Sequence, residues 1–453
     1  MKDFTPEYLE QIRDIISGHD DERARTALAD LHPADIAELY RDLNLAEAEY
    51  LSRLLDDDTA AEVLMELDDD DRHKLLEAMP AEMIAKQIDH LDTDDAVDLI
   101  QQIDEEDRDE ILSHIDDVEQ AGDIIDLLKY DEDTAGGLMG TEMLVVNENL
   151  SMPECIKELR AQAEEMDEIY YVYVVDNDYK LRGVLPLKKL ITHPSVSKIK
   201  HVMEVDPASV KDDTPIDEVA HDFEKYDLVA MPVVDSIGRL LGRITVDDVM
   251  DEVRESSERD YQLASGISSD VDADDSILAQ TKARIPWLLI GIVAGIVASL
   301  ILAGFEEQLQ AVTALALFIP IIGGTGGNVG VQASAIVVQG LANGSLDIRQ
   351  FSRQLGKEVV IGLLNATVMS AVMLVYNLVF LPGQYAVTAS VAVSLFAVVM
   401  FASLLGTAIP LTLEKLHINP ALATGPFIQI SNDIFGILIY VVISTWFLQL
   451  WGF

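Results

Sequence analysis

The stretch Pro320-Ile-Ile-Gly-Gly-Thr-Gly-Gly-Asn-Val-Gly-Val-Gln-Ala-Ser334 decides how the second half of the chain folds. It lies in a long apolar segment and combines five glycines with neutral oxygen-bearing side chains. Each glycine weakens a helix in water by about 0.8–1 kcal/mol relative to alanine. In a membrane, glycines let helices approach closely or open backbone carbonyls toward a cavity. We therefore predict a membrane helix whose glycines serve close helix packing, a cavity or both, and on which Asn328 is a candidate pore-lining ligand.

Five apolar stretches predict five membrane spans. A hydrocarbon core of about 30 Å requires about 20 helical residues. The predicted transmembrane domain covers residues 282–453, with spans near 285–304, 311–341, 356–381, 386–413 and 421–450.

Basic residues fall in alternate loops and predict the orientation. Lys282 and Arg284 precede the first span, and Lys415 separates the fourth from the fifth. The positive-inside rule then places the N-terminal half in the cytoplasm and the C-terminus outside. The start of the chain has no apolar core of the signal-peptide type. We expect a multi-pass protein of the plasma (inner) membrane. The basic residues between the second and third spans agree: Arg349, Arg353 and Lys357.

Asp433 is the only ionisable residue that we expect deep inside a span. It ends the sequence Gly425-Pro-Phe-Ile-Gln-Ile-Ser-Asn-Asp433, and no span offers a lysine or arginine to pair with it. A buried charge costs at least about 2.5–3.5 kcal/mol unless it faces water, a partner or an ion. A protonated structural carboxyl is the alternative. We predict that Asp433 is a cation ligand in a pore, with Asn328 as a second ligand.

The ligand types narrow the choice of ion. The predicted spans hold no histidine, and the single cysteine is Cys155. Soft and borderline metals favour those side chains, whereas carboxylates, amides and water suit hard cations. Mg²⁺ gives up its waters reluctantly and is often held by one or two carboxylates. One aspartate per chain, doubled by a two-fold axis, fits hydrated Mg²⁺. Mn²⁺ and Co²⁺ remain open.

Nearly all of the net charge of −49 lies before the membrane spans. From Ala283 onward six acidic residues meet five basic ones, so residues 1–282 carry −48. This charge repels nucleic acid and anionic lipid and attracts cations. Solvated surface charge is the ordinary explanation. The alternative hypothesis is that divalent cations bridge acidic faces, and one such face follows residue 246 at helical spacing: Asp248, Asp251, Glu252 and Glu255.

The cytoplasmic half divides into a helical part and a repeated strand–helix part. Short amphipathic units such as Leu31–Leu39 predict a small helical superhelix. The run Tyr170–Val175 then predicts a strand, and Val174-Val175-Asp176 recurs 59 residues later as Val233-Val234-Asp235. The helix-forming stretches 152–162 and 216–226 precede the two copies.

Together these features resemble the MgtE family of magnesium channels over essentially the whole chain. The most specific residues are Pro320 with the glycine run to Asn328, and Asn419-Pro-Ala-Leu-Ala-Thr-Gly-Pro426 leading to Asp433. The resemblance implies a helical N domain (1–133), two α/β CBS domains (134–200 and 201–254), a connecting plug helix with linker (247–281) and the transmembrane domain.

The resemblance also implies a regulatory arrangement. It implies a homodimer with its pore on the two-fold axis, hydrated Mg²⁺ at Asp433 with Asn328 nearby, and a plug helix that closes the pore when Mg²⁺ links it to the CBS and N domains. By position, the expected sensor ligands are Asp95, Asp217, Asp227, Asp248, Asp251, Glu252 and Glu255.

The chain departs from the family pattern in two places. Asn419 stands where an acidic residue is expected, so a metal site there is weakened or lost. The adenosine-binding pattern Gly-x-x-Thr-x-x-Asp is present only in the second repeat, as Gly242, Thr245 and Asp248. We therefore expect any ATP site in the second CBS domain, with a nucleotide-free pair as the alternative.

We predict a Mg²⁺-selective channel that is closed by intracellular Mg²⁺. A proton- or sodium-coupled exchanger for Mg²⁺, Mn²⁺ or Co²⁺ is the alternative, in which Asp433 relays protons. A membrane-tethered sensor without transport is the third hypothesis, although an anchor needs neither Asp433 nor the glycines. We do not expect an enzyme, because the sequence has no nucleophile–base pattern, phosphate loop or zinc motif.

Overall fold

A computed structural model describes most of the chain, and it contains two compact units that meet at Val253 and Arg254. We describe each unit by itself. The described residues are 6–29, 31–163, 166, 169–193, 197–269, 271–273, 275–346 and 350–451. The predicted loop charge Arg349 lies outside them.

The first unit begins with ten short helices. Hydrogen-bonded caps set several of their starts. Asn44 and Glu47 form a reciprocal capping box, and Asp56 accepts the backbone N–H of Thr59. Leu39, Ile88 and Ile100 lie fully buried between the helices. The helices are α1 (Pro6–Ser17), α2 (Asp21–Leu28), α3 (Pro33–Arg41), α4 (Leu45–Ser52), α5 (Asp57–Met65), α6 (Asp69–Ala78), α7 (Ala81–Ile88), α8 (Thr93–Gln101), α9 (Glu105–Leu112) and α10 (Val118–Leu127).

Two small sheets follow. In the first sheet β1 pairs with β2 in parallel, and β2–β3 and β3–β4 are antiparallel. In the second, β5 pairs with β6 in parallel and β6 with β7 antiparallel. The elements are β1 (Leu144–Asn147), α11 (Met152–Gln162), β2 (Val172–Val175), β3 (Leu181–Leu185), α12 (Leu187–Thr192), β4 (Glu204–Val205), β5 (Val210–Lys211), α13 (Ile216–Tyr226), β6 (Ala230–Val234) and β7 (Leu240–Thr245).

The predicted repeat is confirmed in detail. The ladder shifts register at Val174/Val175 in the first copy and at Val233/Val234 in the second. After each shift an aspartate stabilises the turn: the Asp176 carboxylate accepts the N–H of Lys180, and Asp235 accepts that of Arg239. The shared residues Val-Val-Asp therefore mark the same bulge and turn in both copies.

Helix α14 (Val246–Ser265) runs across the division between the units, and five membrane-length helical segments follow it. By length and composition these five segments are the candidate membrane spans, which confirms the predicted fold class. The second unit contains α15 (Ile277–Ala303), α16 (Glu306–Ala311), a 3₁₀ turn (Thr313–Phe318), α17 (Ile319–Ala342), α18 (Phe351–Phe380), α19 (Tyr385–Lys415), a 3₁₀ turn (Pro420–Ala423) and α20 (Gly425–Leu450).

Helix α19 is the most buried of these helices and packs against α17, α18 and α20. Small residues line it at the contacts: Ser390, Ser394, Ala402 and Gly406 are buried. Helix α15 is more peripheral and packs against α20. It begins earlier than its predicted apolar span because Ser276 caps it, accepting the N–H of Ala279.

Candidate functional site

Asp433 lies where α20 crosses the glycine face of α17. A β-carbon at Gly323 would lie 3.3 Å from the Asp433 Oδ1 atom. One turn away, a β-carbon at Gly327 would lie 2.2 Å from the Gln429 Oε1 atom, so this glycine makes room for the end of the Gln429 side chain. The Gln429 Nε2 atom donates to Asp433 Oδ1 at 3.4 Å. A pair of glycines one turn apart thus receives a carboxylate and an amide one turn apart.

Below this contact three helices meet at two further glycines. A β-carbon at Gly330 would lie 2.1 Å from the Asn432 Nδ2 atom, and one at Gly406 would lie 2.3 Å from the Gly330 carbonyl oxygen. Asn432 is only 1% exposed. Close packing, one of the two uses expected for the glycine run, is therefore observed here, and it sets the position of the residue beside Asp433.

Asn328 lies on a different side of α17 from these glycines. It follows Gly327 by one residue, a rotation of about 100° around the helix. Gly324, Asn328 and Gln332 are all exposed and recur every fourth residue, so they form a polar stripe along a membrane-length helix. In the single chain Asn328 does not hydrogen-bond to Asp433.

A further buried carboxyl group lies within a membrane-length helix, and the prediction that Asp433 is the only ionisable residue deep in a span stays a prediction. Glu358 of α18 is 7% exposed and accepts a hydrogen bond from the Ser403 hydroxyl of α19. Gly362 leaves room for this pair, because a β-carbon there would lie 3.0 Å from the Ser403 Oγ atom. In the sequence Glu358 follows Lys357 near the start of a span, where it resembles an interfacial charge.

A second polar site lies in the first unit, where α8 meets the segment before β1. Asp92, Asp94 and Glu142 can each present one oxygen atom such that all three lie within 4.8 Å of one another. The Thr93 N–H donates to Glu142 Oε1 at 3.0 Å. A β-carbon at Gly140 would lie 2.8 Å from Asp94 Oδ2, so this glycine makes room for the carboxylates.

Arg243 of β7 is the buried basic residue of this site and is 8% exposed. Its Nη2 atom donates to Asp92 Oδ2 at 2.9 Å, and its Nε atom donates to the Glu142 carbonyl oxygen. The Tyr170 ring lies 5.9 Å from the guanidinium carbon. Arg243 and Glu142 were not predicted as site residues, because neither belongs to a local sequence pattern that indicates a site.

Burial and mutual repulsion raise the pKa values of several carboxyl groups at this site. Burial, and then the Asp248 carboxylate, raise the pKa of Asp94 well above its ordinary value. The same causes raise the pKa of Asp95 to about 7. Burial also raises the pKa of Asp248, against a hydrogen bond from the Thr245 hydroxyl. Such groups ionise together only when positive charge is supplied.

The structure brings some of the predicted sensor residues together. Asp95 and Asp248 interact across α8 and α14, and Glu252 lies close enough to Asp98 to contribute to its raised pKa. Asp217 lies in the first turn of α13 and Asp227 follows its last residue, so they are about 15 Å apart and cannot share an ion within one chain. Two more predicted ligands are exposed: Asp251 and Glu255.

The residues predicted to bind ATP lie beside the same site, on β7 and in the first turn of α14. A β-carbon at Gly242 would lie 2.5 Å from the Gly140 carbonyl oxygen, so the segment before β1 covers this glycine. The Thr245 hydroxyl and N–H both donate to the Asp248 carboxylate. The ATP site stays a prediction.

In the second unit the end of α14 contacts the entry of α20. The Asn419 Nδ2 atom donates to Asp260 Oδ1 at 2.8 Å. A β-carbon at Gly266 would lie 2.5 Å from Pro426, and one at Gly425 would lie 2.1 Å from the Ala264 carbonyl oxygen. The neutral Asn419 therefore bonds a carboxylate directly, where an aspartate would need a shared cation.

Known families match three parts of the chain. A divalent cation transporter family, MgtE, matches residues 319–443, and the MgtE intracellular N domain matches residues 31–133. The CBS domain matches residues 135–195 and 199–255. Among solved structures, the cytosolic domain of the Mg²⁺ channel MgtE in complex with ATP is 32% identical, with a TM-score of 0.51, and covers 54% of this chain and 99% of that one.

Relatives cover most of the length of this chain. A magnesium transporter MgtE of Thermus thermophilus is 38% identical over 330 residues, which is 71% of this chain and 72% of the relative. One of Enterococcus faecalis is 32% identical and covers 73% of each chain. With the CBS pair, the five membrane-length helices and these relatives together, the chain belongs to the MgtE family of divalent cation transporters.

Proposed function

We propose that the chain is a Mg²⁺ channel that admits Mg²⁺ through the plasma membrane beside Asp433 and is closed by intracellular Mg²⁺. The observation that carries this proposal is the position of the Asp433 carboxylate. It lies against Gly323 of α17 and accepts a hydrogen bond from Gln429. A carboxylate with amides offers hard oxygens and leaves room for the waters that Mg²⁺ retains. The transport of magnesium named for the relatives supports the choice of ion.

The polar stripe of α17 supports a water-filled path between two copies. Asn328 and Gln332 are exposed on a membrane-length helix, where lipid contact is unfavourable for amides. A two-fold axis beside this stripe would bring the stripes and the two Asp433 residues of a homodimer toward one pathway. In this arrangement Asn328 is a pore ligand of the dimer. This agrees with the single chain, in which Asn328 does not hydrogen-bond to Asp433.

The orientation follows from the described loop charges. Lys282 and Arg284 lie in the first turns of α15, and Lys415 ends α19. These positions favour a cytoplasmic first unit and a C-terminus outside.

We call the carboxylates where α8 meets the segment before β1 and the start of α14 the acidic cluster, and this cluster suits a regulatory cation. Its members are Asp92, Asp94, Asp95, Glu142 and Asp248. Its candidate metal ligands are all carboxylates. Burial and then repulsion between carboxylates raise the pKa values of Asp94 and Asp248, and a divalent cation relieves the repulsion. Asp94 is the residue that would hold this cation, together with Asp92 and Glu142, whose oxygens can lie within 4.8 Å of its own, and Asp95 and Asp248 add negative charge beside this set. The bound ion would supply positive charge between α8 and the start of α14, and so favour the arrangement in which these elements touch.

The end of α14 suits the role of the plug. Its residues Asp260 and Ala264 contact the turn and glycine that open α20, the helix of Asp433. A displacement of this end would disturb the entry of α20 directly.

ATP binding in the second CBS domain is a further part of the proposal. It is supported by the Gly-Arg-Ile-Thr-Val-Asp-Asp pattern at Gly242–Asp248 and by the ATP complex of the relative. Isothermal titration of the full chain with ATP, compared with Thr245→Val, tests it. Equal heats from both proteins would remove the assigned site.

One observation favours the coupled exchanger as a second candidate. Glu358 adds a second buried carboxylate to the membrane unit, so a proton relay would not depend on Asp433 alone. Currents through the purified chain decide between the two. A reversal potential that follows the Mg²⁺ gradient and ignores an imposed proton gradient excludes the exchanger.

The main experiment measures Mg²⁺ entry into liposomes that contain the purified chain. We expect Asp433→Asn to reduce uptake to background, because the neutral amide no longer offsets the charge of the ion. Ser431→Ala, two residues away on the same helix, is the matched control and should transport normally. Normal uptake by the Asp433→Asn protein would remove the pore assignment.

A further inference from the structure

Arg243 joins three separate segments of the first unit through one side chain. We propose that Arg243 is a resident counter-cation of the acidic cluster, which holds α8 against β7 when no divalent cation is bound. The inference rests on the proposed regulatory role of the cluster, but its central claim concerns the metal-free protein.

The contacts of Arg243 run in different directions. Its guanidinium reaches Asp92 at the start of α8 and the Glu142 carbonyl of the segment before β1. Its own backbone N–H and carbonyl both pair with Gly140, at 2.9 Å each. The backbone therefore attaches the segment before β1 to β7, and the side chain adds α8 to this pair.

The charges favour this assignment. Burial alone would lower the pKa of Arg243, but Asp94, Asp92 and Glu142 more than offset it, and the pKa is raised. One guanidinium faces several carboxylates, so it neutralises only part of their charge. The negative charge that remains still repels the carboxylates from one another. A divalent cation can neutralise this charge, so the contact between α8 and β7 responds to the ion.

A guanidinium suits this role better than an ammonium. It presents several donors in a fixed planar fork, so that it can bond a carboxylate and a carbonyl at once. A lysine at position 243 would retain the charge but could not reproduce both bonds. We therefore expect Arg243→Lys to hold α8 against β7 less firmly than arginine does, but more firmly than Arg243→Gln.

Hydrogen exchange of the full chain, followed by mass spectrometry, tests the proposal. In EDTA we expect amides of residues 92–96 and 139–143 to exchange roughly tenfold faster in Arg243→Gln, because a charge-assisted hydrogen bond is lost. Asp92→Asn should also speed exchange at residues 92–96, since it removes the negative charge that strengthens the bond from Arg243 to α8. Arg239→Gln removes the same charge from an exposed position on the adjoining turn and should exchange like the unmodified chain.

The combination of variants separates a direct bond from a general loss of folding. The double variant Arg243→Gln/Asp92→Asn should exchange no faster than Arg243→Gln alone, because that variant has already lost the bond to Asp92. Unchanged exchange in Asp92→Asn, or fully additive effects in the double variant, would overturn the proposal. Unchanged exchange in Arg243→Gln would overturn it equally.

Added Mg²⁺ distinguishes this proposal from the regulatory role of the cluster. We expect Mg²⁺ to slow exchange at residues 92–96 in the unmodified chain and in Arg243→Gln. If Mg²⁺ has no effect on the unmodified chain while the EDTA differences remain, Arg243 still joins α8 to β7, and the regulatory cation site is wrong.

Discussion

The acidic cluster of the first unit and the Asp433 site of the second unit use carboxylates in opposite ways. In the cluster, carboxylates crowd against one another and against Arg243, and the pKa of Asp94 is raised well above its ordinary value. At Asp433 a single carboxylate meets glycines and the amide of Gln429. The cluster thus stores repulsion that an ion can relieve, whereas Asp433 offers one charge that an ion can pass.

This difference indicates which property each site can serve. A site made of mutually repelling acids changes its protein contacts when a cation arrives, as a sensor requires. A single carboxylate among neutral groups binds a hydrated ion weakly enough to release it, as conduction requires. Substitutions that change the charge or the packing of one site test whether the two sites have these separate roles.

The largest expected effect concerns the cluster. In a variant with Asp94→Asn, Asp95→Asn and Asp248→Asn, we expect conduction to lose its dependence on cytoplasmic Mg²⁺, because the ion loses the Asp94 carboxylate and the two neighbouring charges that attract it. Flux measured against millimolar Mg²⁺ checks this. A control with Glu106, Glu110 and Glu224 changed to Gln removes three exposed charges and should close normally. Unchanged closure in the cluster variant would end its role as the sensor.

A steric change sharpens the description of the membrane site. Gly330→Ala places a β-carbon 2.1 Å from the Asn432 Nδ2 atom and 2.7 Å from Ile428. Such overpacking costs about 1–3 kcal/mol. We expect a lower unfolding temperature in detergent and reduced Mg²⁺ uptake. Gly295→Ala on α15 would place its β-carbon with no neighbour within 4 Å and is the matched control. Equal stability of the two variants would show that the crossing is looser than described.

The cluster should respond to pH when no divalent cation is present. The pKa of Asp95 is raised to about 7 where α8 touches α14, so this contact binds more protons than the separated elements do. Stability from those protons is present below the ordinary pKa and is lost as the pH rises through 7. Spin labels at Glu106→Cys and Glu224→Cys should report a narrow distance distribution at pH 5 and a broad one at pH 8. A narrow distribution at pH 8 in EDTA would contradict the account.

The smallest effect is expected at the entry of α20. Asn419→Asp replaces the hydrogen bond to Asp260 with two carboxylates, and exposed pairs of this kind are worth about 0.2–1 kcal/mol. We expect hydrogen exchange at residues 260–266 to become a few-fold faster in EDTA and to recover with Mg²⁺. Asn419→Ala removes the bond without adding charge, so its exchange should not recover. Identical behaviour of both variants would exclude a charge effect.

Local patterns predicted most of the fold. The stretches predicted as helices at 152–162 and 216–226 are α11 and α13, and the repeated Val-Val-Asp marks one bulge and turn in each copy. The five spans follow from composition alone. These features depend on neighbours within a few residues, which a sequence displays directly.

The candidate sites were predicted only in part. Asp433 was found because a carboxylate in an apolar span is conspicuous. Glu142 and Arg243 were missed because they meet Asp92 only after distant segments pack together. Glu358 was missed because its burial depends on α19, where Ser403 meets it. Long-range contacts of this kind leave no local period or spacing in the sequence.

The central claim is that one protein conducts ions past Asp433 and senses them through a separate acidic cluster. Single-channel recording of the purified chain in a bilayer, with Mg²⁺ varied on the cytoplasmic face only, tests it most directly. The account predicts Mg²⁺ currents whose open probability falls as cytoplasmic Mg²⁺ rises, and no currents from Asp433→Asn. Currents that are indifferent to cytoplasmic Mg²⁺, or that persist in Asp433→Asn, would contradict it.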